Sequence, residues 1–314
     1  MTSAIKQILV AVKPWESTLP ITTSRLAFLA RHLKAEVTLV SCIRLSVTES
    51  GLVWAESGIA SELQNSLPDH TAHESALLEQ LAAPLRDAGV SVTTQVRSGS
   101  SAMRGISDEV EELRADLLVV GVHKQEASLR LRLADVDWQL IRRCPCPLLL
   151  SQGSEDEPYR KILAAIDPLH DHAEPEGLDH AILDIARLIA DACGSQLQTV
   201  NAFPDPEGFE VVSAIEPSPG IFYGSENIED AHKEAARALA DQFGIATTDV
   251  IVNQGKPVAV IGSVLSEQAA DLVVLGVTQR GRLEEALLGS TAKEVIKDAG
   301  CDSLLVKISH DGST

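Results

Sequence analysis

Ala270-Asp-Leu-Val-Val-Leu-Gly276 is an unbroken apolar run behind a single acid, and nearly the same words stand in the first half of the chain as Ala115-Asp-Leu-Leu-Val-Val-Gly121. A run with no polar alternation, closed by glycine, suits a strand covered on both faces, the usual condition of a parallel sheet. Two further segments repeat in the same order. Lys6-Gln-Ile-Leu-Val-Ala-Val-Lys-Pro14 matches Arg160-Lys-Ile-Leu-Ala-Ala-Ile-Asp-Pro168, and Cys146-Pro-Leu-Leu-Leu150 matches Cys301-Asp-Ser-Leu-Leu305. The spacing between the second and third segments is the same in both halves. Three ordered matches point to a tandem duplication.

Working outward, each half reads as five strand signals alternating with helix signals. The strands expected in the first half cover 6–13, 36–43, 90–97, 116–122 and 146–151. Those of the second cover 160–167, 195–203, 247–253, 271–277 and 302–308. Between them lie amphipathic stretches such as Leu178 to Cys193, where Leu178, Ile182, Ile185, Ala186 and Ile189 recur at helical spacing. The pattern predicts an α/β protein of two tandem, doubly wound, five-stranded parallel-sheet domains, residues 1–152 and 158–310. Gly153-Ser-Glu-Asp-Glu-Pro158 reads as the linker. Long irregular stretches are expected at 44–69 and 204–226, either covers over a site or plain excursions.

The composition agrees. Apolar residues make up 45% of the 314, but aromatics only 3%, so the cores must be built from Leu, Val, Ile and Ala. A formal charge of −19 repels phosphate backbones and argues against nucleic-acid binding. Lys6 interrupts any apolar start, and no run reaches the ~20 residues of a membrane span, so a cytoplasmic protein is expected. Cys42, Cys144, Cys146, Cys193 and Cys301 are odd in number and sit in apolar patterns. They are expected to be small buried hydrophobes in a reducing compartment.

In an open parallel sheet a ligand sits beyond the C-terminal strand ends, where the strand order reverses. Two features of the second half land there. Asp167 ends the first strand and can accept hydrogen bonds from hydroxyls or an amine, or simply hold the turn before Pro168. The run Gly276-Val-Thr-Gln-Arg-Gly-Arg-Leu-Glu-Glu-Ala-Leu-Leu-Gly-Ser-Thr-Ala292 follows the fourth strand and leads into a helix. Gly276 permits a close backbone approach. Gly289, Ser290 and Thr291 open the helix, where free N–H groups and the dipole favour an anion, though either hydroxyl can serve as a plain cap. Arg280 and Arg282 can neutralise phosphate charge. Lys256, in the Gly255-Lys-Pro257 turn, reads as a solvated turn residue rather than a phosphate ligand.

A first strand ending in Asp, the Ala-Asp-Leu-Val-Val-Leu-Gly strand and the Gly-Ser helix start together resemble the universal stress protein family. His123-Lys124, Asp137-Trp-Gln-Leu140, His170 to His180 and Val200-Asn-Ala-Phe203 resemble the tandem, UspE-type branch of that family. The resemblance covers nearly the whole chain. It implies an adenine-nucleotide alpha-hydrolase-like, Rossmann-like fold. It also implies an ATP site patterned as Gly, two residues, Gly, nine residues, Gly, then a small polar residue. The second half gives Gly276, Gln279 in place of the second glycine with Gly281 two residues on, and Gly289-Ser290. The implied site is therefore Asp167, Gly276, Gln279, Arg280, Gly281, Gly289, Ser290 and Thr291. The first half departs: Lys13 stands for Asp167, Lys124 for Gln279 and Ala134-Asp135 for Gly289-Ser290. An acid at the helix start repels phosphate, so that half is expected to be a scaffold. The resemblance also implies an intramolecular pseudo-dimer of the two halves, with a homodimer of tandems left open.

The functional expectation is a cytoplasmic stress-response protein that binds ATP or a related nucleotide in its second domain. A weak ATPase, or a binder of another phosphorylated or lipid-like metabolite, stays open as the alternative. No nucleophile elbow, Walker lysine or zincin motif is present, so binding and regulation are favoured over catalysis. His170, Asp171, His172, Glu174, Glu176, Asp179 and His180 form a cluster with zinc-ligand chemistry. An acidic loop ahead of a helix explains it better, so no metal is expected.

Overall fold

The acid of the repeated segment does the same work in both halves. Asp116 Oδ2 accepts the backbone N–H groups of Lys6 and Gln7, at 2.7 and 2.9 Å. Asp271 accepts those of Arg160 and Lys161, at 2.8 and 3.1 Å. Each carboxylate thus ties the start of the fourth strand to the start of the first and sets their parallel register. The computed structural model describes residues 4–14, 16–44, 59–99, 101–124, 131–132, 135–152, 157–169, 177–203, 225–277 and 289–308.

In chain order the elements are β1 (Gln7–Val12), α1 (Thr23–Leu33), β2 (Glu36–Arg44), α2 (Ile59–Asp87), β3 (Val92–Gly99), α3 (Ala102–Leu113), β4 (Leu117–Gly121), β5 (His123–Lys124), β6 (Leu131–Arg132), α4 (Asp135–Arg143) and β7 (Leu148–Ser151). The second half adds β8 (Lys161–Ala165), α5 (Leu178–Cys193), β9 (Gln196–Phe203), α6 (Ser225–Gln242), β10 (Val250–Gln254), α7 (Pro257–Gln268), β11 (Leu272–Gly276), α8 (Ser290–Asp298) and β12 (Asp302–Val306). Ser3–His123 and Leu133–Pro158 make one unit and Tyr159–Thr314 the other, to which Leu131–Arg132 also belongs.

Each unit holds five parallel strands with the first strand central. The order is β3-β2-β1-β4-β7 in one unit and β10-β9-β8-β11-β12 in the other. The order reverses between the first and fourth strands, so each sheet has its crevice there. The α/β, doubly wound reading of the sequence holds. The cores are aliphatic: Leu9, Val10, Leu118 and Leu149 are buried in one unit, and Leu163, Val273, Val274 and Leu304 in the other.

Helix ends follow local chemistry. Lys34, Arg114 and Ala269 take left-handed C-cap positions, where Gly194 does the same with no Cβ penalty. Three expectations need correction. The stretch expected to be irregular over 44–69 runs into helix, since α2 begins at Ile59 and carries Pro68 within it; residues 45–58 lie outside the described residues. The third strands begin late. Thr247–Asp249 forms a 3-10 turn instead, and the Asp249 carboxylate accepts from Gln196 Nε2 at 2.6 Å. In the first unit β3 runs to Gly99, and Ser101 caps α3 by accepting Arg104 N–H at 3.4 Å. Finally, Cys42, Cys144 and Cys146 are buried, but Cys193 and Cys301 are only half-buried because they lie where an element ends. The stretch 204–224 lies outside the described residues.

Candidate functional site

A cleft of about 130 Å³ opens at the C-terminal edge of the second sheet, between β8 and β11. Its floor comes from strand ends: Ala165, Ile166, Val200, Ala202 and Leu275. Its walls are helix starts: Leu178 and Ile182 of α5, Pro257 and Ile261 of α7, and Ala292 of α8. Onto this apolar surface project Asp167, Asp179 and Thr291. The volume is near the ~150 Å³ that in an apolar cavity holds one aromatic ring. Anything larger must extend outward past α8.

Asp167 leaves the sheet one residue after Ile166. Its backbone N–H donates to Asp179 Oδ1 at 3.0 Å. Asp179 is buried in the first turn of α5, behind Gly177 at φ 87°. The positive end of the helix dipole favours an acid there. One Asp167 oxygen accepts from Asn201 Nδ2 at 3.4 Å, and the same amide donates to Ile166 O at 3.0 Å. Asn201 Oδ1 meets His232 Nδ1 at 2.9 Å, and Phe203 stacks on the imidazole at 5.5 Å between centroids. Burial pushes the His232 imidazole below its usual value, partly opposed by the Asp167 charge.

Gly276 lines the cleft and also packs against α5. A Cβ there would fall 2.8 Å from Leu178 Cδ2 and 3.1 Å from Ile182 Cδ1, so the lack of a side chain lets the helix approach the strand end. Gly121 has the same role in the first unit, where Pro20 Cβ stands 2.8 Å from the added atom.

At the start of α8 the cap position is Gly289, and no side chain caps the helix. Ser290 and Thr291 are the first two helical residues, so neither hydroxyl serves as the plain cap. Lys293 N–H is the first to bond back, to Gly289 O at 3.1 Å, which leaves the N–H groups of Ser290, Thr291 and Ala292 ahead of the helical ladder.

The structure thus brings Asp167, Gly276 and Thr291 to one cleft, with Gly289 and Ser290 at its edge. Gln279, Arg280, Gly281 and Arg282 lie outside the described residues. Lys256 is exposed at the cap of α7 and does not line the cleft. Of the acidic His cluster, residues 170–176 lie outside the described residues. Asp179 serves the Asp167 backbone, and His180 Nε2 meets Gln242 Oε1 at 3.3 Å. Among the described residues no group of three His, Cys, Asp or Glu is placed to hold a metal, and no helix is long and apolar enough to cross a membrane.

Three polar residues of this region were not among the expected nucleotide-site residues: Asp179, Asn201 and His232. Asp179 was legible only as part of a helix-start acid run. Asn201 lies in the Val200-Asn-Ala-Phe203 segment that ends its strand. Nothing local marked His232.

The same three places in the first unit are filled otherwise. Lys13 ends the first strand and lies 4.0 Å from Glu16. Val12 faces Ser41, and Ala165 faces Val200, so Asn201 falls at the register of Ser41. Ser41 donates to buried Glu74 on α2 at 2.6 Å.

Comparison with known proteins gives one consistent answer. The universal stress protein family model matches residues 4–152 and 158–307. The Universal stress protein E homolog of Haemophilus influenzae is 29% identical over 278 residues, 87% of each chain. Two solved structures share the fold along the whole chain. A functionally unknown protein of Pseudomonas aeruginosa PAO1 has a TM-score of 0.70 at 23% identity, covering 97% of this chain and 93% of that one. A universal stress protein of Archaeoglobus fulgidus has 0.64 at 15%, covering 96% and 98%.

Proposed function

Since the chain belongs to the universal stress protein family, with one module in each half, we propose that its C-terminal cleft binds ATP or a related nucleotide while the N-terminal module serves as scaffold. The observation that carries this reading is the convergence of Asp167 and Thr291 on one apolar, ring-sized cleft, beside a helix start whose cap position is Gly289. A flat base suits the aliphatic floor. A carboxylate at the rim accepts from ribose hydroxyls or an exocyclic amine. The start of α8 faces the charge of the phosphates. Gln279, Arg280 and Gly281 complete the proposed site along the segment joining β11 to α8. The role is binding and regulation, with hydrolysis at most slow.

The test is the thermal unfolding of the full chain with and without millimolar ATP. Ligand at about 100 times its Kd adds about 2.7 kcal/mol of apparent stability. A rise that disappears in Asp167→Lys supports the reading. No rise with ATP, ADP or AMP, together with no nucleotide retained on purification, sinks it in favour of another phosphorylated or lipid-like metabolite. Phosphate release that is unchanged by Ser290→Ala would count against any ATPase activity at this site.

A further inference from the structure

The side chains of Asp167, Asn201 and His232 make a chain of fixed polarity. The Asn201 amide donates at Nδ2 to two acceptors, Ile166 O and Asp167 Oδ1. Its Oδ1 is then an acceptor, so His232 Nδ1 carries the hydrogen in either charge state of the ring. Asn201 is buried, so its amide has little freedom to flip. Phe203 packs on the imidazole face and limits its rotation. A side chain of α6 thereby sets the orientation of a carboxylate in the cleft, although no backbone bond links the two.

We propose that Asn201 and His232 are positioning residues for Asp167, and that a ligand engaging the Asp167 carboxylate is sensed at the imidazole of α6. This rests on the cleft being a ligand site, as argued above. The polarity also selects the ligand chemistry. The chain ends on an acceptor, so the partner group must be a donor: a hydroxyl pair, an amine or another N–H. A ligand offering only acceptors, such as tripolyphosphate, has no claim on this carboxylate.

Among the described residues, Asp167, just beyond β8, is the charged group that acts on His232. On its own helix Glu229 and Lys233 pair with each other. On the 3-10 turn that packs against α6, Asp249 is held by Gln196 and Gln198. β9 and β10 carry no titratable side chain. Among the described residues, a change at Asp167 therefore reaches the imidazole by its charge and through the Asn201 amide.

The experiment is a titration of the His232 ring by nuclear magnetic resonance on the full chain, labelled at histidine. In the unliganded protein, Asp167→Asn removes the charge that favours the imidazolium. The midpoint is expected to fall by roughly half a pH unit. A midpoint unchanged by Asp167→Asn overturns the proposal whether or not any nucleotide binds. With ATP as probe, the His232 signals are expected to move in the native chain, and tripolyphosphate is expected to leave them in place. His232→Leu, which deletes the donor, is expected to weaken ATP by about 5- to 10-fold, the worth of one neutral hydrogen bond. His232→Asn places an amide donor where Nδ1 stood and is expected to restore most of the loss. If ATP binds but neither the signals nor these variants respond, the positioning role falls and the nucleotide reading stands. If ATP does not bind but Asp167→Asn shifts the midpoint, the nucleotide reading falls and the coupled chain stands.

Discussion

At the end of its first strand the N-terminal module carries Lys13, at the facing place on the second strand Ser41, and on the covering helix Glu74; the C-terminal module carries Asp167, Asn201 and His232. The signs are exchanged. One module has a base at the strand tip and an acid on the helix, the other an acid at the tip and an imidazole on the helix. The frame beneath is the same, down to the Asp that ties the fourth strand to the first. Duplicated modules can therefore keep the residues that fix strand register and diverge at the strand tips. In a doubly wound sheet the tips touch ligand and the strand starts do not.

The largest expected break of this comparison is at the tip itself. Asp167→Lys gives the second module the first module's residue, removing a charged acceptor and placing a cation against the cleft floor. ATP affinity is expected to fall about 100-fold, the upper range for a hydrogen bond to a charged group. The reciprocal Lys13→Asp is expected to add no second equivalent of bound ATP by equilibrium dialysis, since Asp135 still stands at that module's helix start. A second equivalent would show that the strand tip alone decides binding.

Below the tips the modules differ in how completely their buried polar groups are satisfied. Ser41→Ala strips a donor from buried Glu74 and is expected to cost about 1–3 kcal/mol in urea unfolding. In the other module Thr199 is fully buried and its hydroxyl has no partner. Thr199→Val is expected to be neutral or to stabilise by up to about 1 kcal/mol. Equal losses for the two variants would remove the distinction. The paired glycines sharpen it further. A Cβ at Gly121 meets Pro20 at its Cβ and, at 3.2 Å, its backbone Cα, which yields little. A Cβ at Gly276 meets the tip of Leu178, which can turn aside. Gly121→Ala is expected to cost about 1–3 kcal/mol and Gly276→Ala less, although Leu178 then moves within the cleft.

Much of the frame was legible because it is written locally. Apolar runs ending in Gly121 and Gly276 mark central strands, and repetition of Ala-Asp-Leu marks their partners. The first turns of helix α2 fell in the stretch read as irregular, and Pro68 within them is a residue that disfavours a helix interior. Half of the site was legible for the same local reason: Asp167 closes a strand and Gly289-Ser-Thr291 opens a helix. The remainder depends on contacts far apart in sequence. His232 is ordinary among the residues of α6, and only the sheet register that places Asn201 at a strand end gives it a partner. The packing of α5 on Gly276 was not legible, because a sequence cannot show which neighbours lie against a glycine.

The smallest expected effect concerns the pH dependence of the second module's stability. Burial depresses the His232 imidazole below its ordinary value of 6.5, so the folded state binds the proton less readily than the unfolded chain. Between the unfolded value and the lower folded one, the unfolded state holds more protons, and stability falls as pH falls. The contribution of this ring is thus fully present above about pH 6.5 and is lost on acidification. His232→Asn keeps a donor to Asn201 but removes the titration. The urea midpoint of the native chain is therefore expected to drop more steeply than that of the variant between pH 7.5 and 5.5, roughly the range bracketing an ordinary histidine. The other histidines titrate in both proteins and cancel in the difference. Parallel profiles would mean that burial of the ring costs the imidazolium nothing. The contrast between a strand tip wired to an imidazole and one that is not would then rest on geometry alone.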